Sequence, residues 1–141
     1  MEYTLTALSP EHLDKLLSQM QLPVDAFSLR MAYLSAGSVS YCLLNGDEPI
    51  LAGGIVNLMW HRGEAWLLTT PFFRKHLREC YKYVKSTLPR MAREGKFKRV
   101  QATCAVIMST VLFDHLGFEY EGTMKCFGPS GETCHMYARL F

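Results

Sequence analysis

The spacing of apolar positions changes several times along the chain, and each change marks an element. Tyr3-Thr4-Leu5-Thr6-Ala7 alternates apolar and polar residues, the pattern of a half-buried strand. Ser9-Pro10-Glu11-His12 then opens a helix: Ser9 is the N-cap, Pro10 suits the first helical position, and Leu13, Leu16, Leu17 and Met20 form the buried stripe. Pro23 breaks that helix, and residues 24–36 predict a second helical piece with Phe27, Met31 and Leu34 on one side and Gly37 closing it. Strands are predicted over 39–44 and 49–59, antiparallel neighbours joined by Asn45-Gly46-Asp47-Glu48, an Asn-Gly hairpin turn. Gly53-Gly54 inside the second strand marks a bulge or a place where other backbone comes close.

Residues 64–118 carry the longest ordered succession of periods. Glu64-Ala65-Trp66-Leu67-Leu68-Thr69-Thr70 reads as a strand that Pro71 stops, because proline cannot donate to the ladder. Phe73, Leu77, Tyr81, Val84, Leu88 and Met91 recur at helical steps up to Glu94, with Arg74, Lys75, Arg78, Lys82 and Lys85 between them, Pro89 as a bend and Gly95 as the stop. A strand over 98–104, a helix over 106–116 and a left-handed C-cap at Gly117 follow. A strand, helix, strand order makes 64–70 and 98–104 parallel. Leu112, Phe113, Leu116 and Phe118 are expected in the core around this second helix, and 118–127 with 132–140 makes a closing hairpin.

Composition narrows the classes. With 141 residues, 49% of them hydrophobic, the chain is one domain with a substantial core. No apolar run reaches the roughly 18 residues a membrane helix needs, and the first residues lack a signal-peptide pattern, so a cytoplasmic protein with no membrane partner is expected. A net charge of +2 and a pI near 8.3 argue against nucleic acid, although residues 74–85 concentrate cations on one helix. Five cysteines without a C-x-x-C pair read as reduced structural thiols. Cys126 and Cys134 could face each other across the closing hairpin, and with His135 they fall short of a zinc ligand set, so no metal is expected.

The element order, together with three anchors, resembles the GNAT N-acetyltransferase family over nearly the whole chain. Thr70-Pro71-Phe72-Phe73-Arg74 is similar to the family's strand-exit Pro-x-x-Arg, Leu112-Phe113-Asp114-His115-Leu116-Gly117-Phe118 to its Leu-Tyr-x-x-Leu-Gly-Phe, and Met136-Tyr137-Ala138-Arg139-Leu140 to its last strands. Trp66-Leu67-Leu68-Thr69-Thr70 with the Leu-Gly-Phe further resembles small GNAT-like proteins encoded by bacteriophages and prophages. The resemblance implies an α/β (α+β) fold: a mixed central sheet of six to seven strands, a parallel pair splayed at a cofactor cleft, and about four helices.

It also implies acetyl-coenzyme A as the acyl donor and direct attack by an amine on a small molecule or a protein; a homodimer is compatible with it. The pyrophosphate would lie at the helix start, where amides and dipole favour an anion, with Arg74, Lys75, His76 and Arg78 around it. The thioester carbonyl would be polarised by backbone amides at Leu68, Thr69 and Thr70. Leu77 and Glu79 stand where the family loop has glycine or another small residue, adding bulk and a carboxylate beside the anion. The family's opening Asn, later Ala and proton-donating Tyr of the next helix fall on Val106, Ser109 and Phe113; Phe113 cannot donate, leaving Ser109, Cys104 or Tyr120 as substitutes. Glu64, with His61 three residues before it, stands near the family's general base. A GNAT-like protein that has lost its cofactor loop, serving as a phage structural or accessory protein, is the alternative.

Overall fold

The computed structural model describes residues 2–19, 39–105, 111–128 and 130–141. Its strands are β1 (Tyr3–Ala7), β2 (Ser40–Asn45), β3 (Glu48–Met59), β4 (Arg62–Thr69), β5 (Arg99–Ala105), β6 (Glu119–Met124) and β7 (Cys134–Leu140). The helices are α1 (Pro10–Gln19), α2 (Leu77–Glu94) and α3 (Val111–His115), and a 3₁₀ segment, Pro71–His76, leads into α2. The helix expected over 24–36 and the start of the one expected over 106–116 lie outside the described residues. The strands form one mixed sheet in the order β1-β2-β3-β4-β5-β7-β6. Among the described residues only β4 and β5 run parallel; every other neighbouring pair is antiparallel.

The local chemistry accounts for most element ends. The His12 N–H donates to Ser9 Oγ at 3.1 Å, so Ser9 caps α1 through its side chain. Gly46, at φ 62°, makes the tight turn between β2 and β3. Gly53-Gly54 does not form a bulge, for the β3–β4 register runs without a shift from Leu51↔Thr69 to Asn57↔Gly63. The glycines instead mark a close approach: a Cβ on Gly54 would sit 2.8 Å from the Val39 carbonyl oxygen and 2.8 Å from Ser40 Cβ. The irregularity in the β2–β3 ladder falls where Leu43 and Leu44 face Leu51 and Pro49, with Ile50 of β3 as the extra residue.

The predicted helix from Phe73 begins later than its periodicity suggests. Residues 71–76 wind as 3₁₀, and the α-helical bonding starts at Leu77. Pro89 sits inside α2, which continues to Glu94. The helix ends in a Schellman arrangement, with the Phe97 N–H on the Ala92 carbonyl at 2.9 Å and the Lys96 N–H on that of Arg93 at 3.1 Å. The left-handed residue of that motif is Lys96, at φ 57°, not Gly95. Gly95 serves packing, since a Cβ there would collide with the Phe97 ring. Gly117, at φ +83°, does take the left-handed position after α3.

Each sheet face has its own cover. Leu13 and Leu16 of α1, both 0% exposed, pack with Cys42, Ala52 and Leu68, which neighbour one another across β2, β3 and β4. On the other face Leu88, Met91 and Ala92 of α2 pack with Ile55, Val100, Ala102, Cys104 and Tyr137. Leu116 and Phe118 join this second cluster as expected, whereas Phe113 is half-buried and Leu112 is exposed. Leu112 falls outside the core because α3 buries only one side of its short turn.

Gly54→Ala is expected to destabilise the fold by about 1 to 3 kcal/mol, because the added methyl meets backbone that cannot rotate away. Urea unfolding measures it, and an unchanged midpoint would mean that β2 and β3 separate there without cost.

Candidate functional site

β4 and β5 pair over only three positions, Arg62↔Arg99, Gly63↔Val100 and Glu64↔Gln101. Beyond them both strands continue, to Thr69 and Ala105, without pairing to each other. The sheet therefore opens in its middle. The Thr70 N–H donates to the Ile50 carbonyl at 3.0 Å, and in an antiparallel ladder such bonds fall on alternate residues. That alternation turns the backbone groups of Leu67 and Thr69 away from β3 and into the gap, where β5 supplies no partner.

Of the residues assigned to the carbonyl-binding amides, Thr69 thus faces the gap, while Leu68 and Thr70 do not. Leu68 is buried against α1, and Thr70 spends both its N–H and its Oγ1 on the Ile50 carbonyl, each at 3.0 Å. Arg74, Lys75 and Arg78 are exposed around the start of the helix, and none of them forms an ion pair among the described residues. His76 is not with them. It is buried, its Nδ1 lies 2.5 Å from the Tyr3 hydroxyl on β1, and the two rings meet edge to face. The cause is the 3₁₀ winding, which turns every third residue inward. Pro71 has no N–H and that of Phe73 goes to the Thr70 carbonyl at 3.0 Å, so Phe72 keeps the free donor of the first turn among the described residues.

Glu64 stands at the branch point, as the last residue of β4 paired to β5, and is 7% exposed. Burial pushes its carboxyl above the ordinary range, against a Gln101 hydrogen bond and the charges of Arg99 and Arg62 that pull it down. Neighbours in register share a face, so Glu64 and Gln101 lie on the α1 face. Arg99 Nε in turn donates to Gln101 Oε1 at 3.4 Å. The sequence held no pointer to Gln101 or Arg99, because only the β4–β5 register brings them to Glu64.

Tyr120 is not brought to Glu64. It lies on edge strand β6, beyond β5 and β7, and its register partner Tyr137 packs on the α2 face. Its hydroxyl sits 2.5 Å from Thr123 Oγ1 and is open to solvent. Phe113 stacks on Tyr137 with ring centroids 4.7 Å apart and planes 10° from parallel, an aromatic contact and not a proton donor. Ser109 lies outside the described residues. Cys104 is buried and its thiol pushed up by that burial, while Cys42 and Cys80 are raised to about 12 and about 11. These thiols stay protonated and packed. The β6–β7 register sets Met124, not Cys126, opposite Cys134, and all five cysteines are free. Among the described residues no group of three or more metal-ligating side chains comes together, and no helix is long and apolar enough to cross a membrane.

No protein-family model matches the chain, and no curated protein matches it in sequence. Solved structures do match in shape. An acetyltransferase of the GNAT family from Streptococcus pneumoniae superposes with a TM-score of 0.76 at 11% identity, covering 99% of this chain and 100% of that one. The chain has the GNAT fold. A ribosomal-protein-alanine N-acetyltransferase from Brucella melitensis matches with a TM-score of 0.76 at 15% identity over 98% of this chain and 99% of the other. A chain of the NatC complex, solved bound to Gag peptide and CoA, matches with a TM-score of 0.75 at 16% identity over 100% and 99%. The GNAT fold thus spans the chain from end to end at identities where only shape is shared.

The state of Glu64 yields a pH dependence. A carboxyl whose folded pKa is raised holds its proton more tightly folded than unfolded, so its contribution is fully present below the unfolded value, about 4.3. It is lost as pH rises through the folded value. Glu64→Gln, which cannot ionise, is therefore expected to gain stability relative to the parent between about pH 4 and about pH 7. Denaturant unfolding at both pH values tests this; an equal difference at each would show that Glu64 is not held from water.

Proposed function

We propose that this GNAT-fold protein transfers an acetyl group from acetyl-coenzyme A to an amine by direct attack, with Glu64 as general base. One observation carries the reading: the gap between β4 and β5 joins two differently equipped faces. At its open end lie the inward-facing Thr69 amide and the exposed cations Arg74, Lys75 and Arg78; at its closed end, on the α1 face, lies Glu64. Arg74, Lys75 and Arg78 would hold the donor's phosphates, and the Thr69 N–H would polarise its thioester carbonyl. Acetyl-coenzyme A supplies an activated acyl group. The amine nitrogen bonds to the acetyl carbon, the carbon–sulfur bond breaks with its electron pair leaving on sulfur, and Glu64 takes the proton shed by nitrogen. Burial raises the affinity of that carboxylate for the proton. A thiol of pKa about 8.5 leaves as thiolate without a donor at its side, so Phe113 in place of a tyrosine is tolerable. The acceptor is an amine on a small molecule or a protein.

A second reading is favoured by one feature, the 3₁₀ winding of residues 71–76 with Leu77 and Glu79 behind it, which leaves few amides for an anion. In that reading the chain is an accessory protein of the phage or prophage type whose cofactor site has lapsed.

Calorimetric titration with acetyl-coenzyme A separates the two. Arg74→Ala is expected to weaken binding about tenfold, since a charge-assisted contact on an exposed guanidinium contributes about 1.5 kcal/mol. Replacing both Leu77 and Glu79 by glycine is expected to tighten it by admitting the phosphates and removing a repelling carboxylate. If the parent shows no affinity at millimolar donor and the double glycine variant gains some, the second reading holds. If the parent binds but is indifferent to Arg74→Ala, the phosphate assignment is wrong.

A further inference from the structure

Arg99 is held by three hydrogen bonds. Its Nη1 and Nη2 donate to the two carboxylate oxygens of Glu121, at 2.9 and 2.5 Å, and its Nε donates to Gln101 Oε1 at 3.4 Å. This fork is longer in reach than an ordinary cross-strand pair, because Arg99 is on β5, Glu121 on β6, and β7 lies between them. Two features make the crossing possible. The β6–β7 register shifts between Tyr120 and Gly122, which leaves Glu121 as the unpaired extra residue of a bulge and re-aims its side chain. Ala138 lies opposite both Gln101 and Glu119, so on this face β7 presents a methyl beneath the crossing.

Gln101 has one oxygen and one NH₂ group. With Oε1 turned to Arg99, Nε2 is left free on the other side of the amide, and the side chain beside it across the β4–β5 register is that of Glu64. We infer that Gln101, held by Arg99 and Glu121, is the positioning residue that orients the Glu64 carboxylate at the branch of the sheet, through a side-chain relay spanning β4, β5 and β6. The inference rests on the reading of Glu64 as the base. A surface Arg–Glu pair by itself contributes little to stability; here the pair fixes an amide that faces a 7% exposed carboxylate. The relay answers a difficulty of that base. A buried carboxylate with free torsions would present its lone pairs in several directions, and the Gln101 donor occupies one and leaves the others for the incoming amine.

The charged groups facing Glu64 among the described residues are Arg62 on its own strand and Arg99 on β5, with Glu121 reaching in from β6 through Arg99. On the β3 side its partner is Val56, which carries no charge. The relay and simple charge predict opposite results for Glu121→Ala. Loss of a distant anion leaves Arg99 less neutralised and by charge alone would favour the carboxylate, moving its titration midpoint down. Loss of the fork frees Arg99 and Gln101, withdraws the donor and moves the midpoint up.

The experiment is a ¹³C NMR titration of the Glu64 carboxyl in the full chain without any acyl donor, on the parent, Gln101→Met and Glu121→Ala. Glu121 is a half-exposed surface residue, so its variant keeps the fold even if Gln101→Met does not. An upward shift in Gln101→Met and in Glu121→Ala supports the relay. A Glu64 midpoint unmoved in folded Gln101→Met, or unmoved or lowered in Glu121→Ala, overturns it. Because no acetyl-coenzyme A is present, a negative binding titration would remove the proposed reaction and leave this result standing, and the reverse holds as well.

Discussion

The pairing of β4 with β5 is the constraint on which the rest depends. Among the described residues it is the sole parallel contact in the sheet, and it lasts three residues. Parallel neighbours need a crossover, and α2 supplies it, packed by Leu88, Met91 and Ala92 on the face that Ile55 and Val100 also line. The crossover fixes the strands at one end only. At the other end the backbone groups of Leu67 and Thr69 have no ladder partner on β5, inside a sheet whose other ladders are long. Such groups are costly to leave unmatched, and they give the opening its chemical character.

Electrostatics divides this opening by face. The helix start contributes a dipole and three exposed cations to one side, whereas the branch point contributes a carboxylate withdrawn from water to the other. Neither arrangement favours folding. Exposed cations of one sign repel, and a buried acid is disfavoured by desolvation. Features that strain the fold in this manner, while everything around them follows ordinary packing, are where function is to be sought.

Most of the architecture was legible in the sequence. Period changes located β1 and α1, the hairpin of β2 and β3, and the strand, helix, strand order that makes β4 and β5 parallel. The local errors have physical causes. Helical spacing from Phe73 could not distinguish 3₁₀ from α winding over a single turn, and that distinction decides that His76 goes to Tyr3 instead of an anion. Gly95 invited a left-handed cap, yet Lys96 took it because Phe97 needs the space above glycine. In the site, Glu64 was legible as a polar residue at a strand's beginning. Gln101, Arg99 and Glu121 were not, since one comes to Glu64 by parallel register and another by a bulge, and neither leaves a mark in a single sequence. Tyr120 was placed by residue type, and type does not tell which face or which edge a strand residue occupies.

The position of β7 between β5 and β6 has a consequence for how the chain assembles. β2 to β4 form a meander of close contacts that can zip in the order of synthesis. β5 cannot follow suit. Its contact with β4 ends after three residues, and its long ladder, seven positions from Arg99↔Leu140 to Ala105↔Cys134, waits for a strand some thirty residues further on. The half of the sheet that walls the opening on the β5 side therefore forms last, so an incomplete chain leaves the β5 backbone without its long ladder until residues 134–140 slide between β5 and β6.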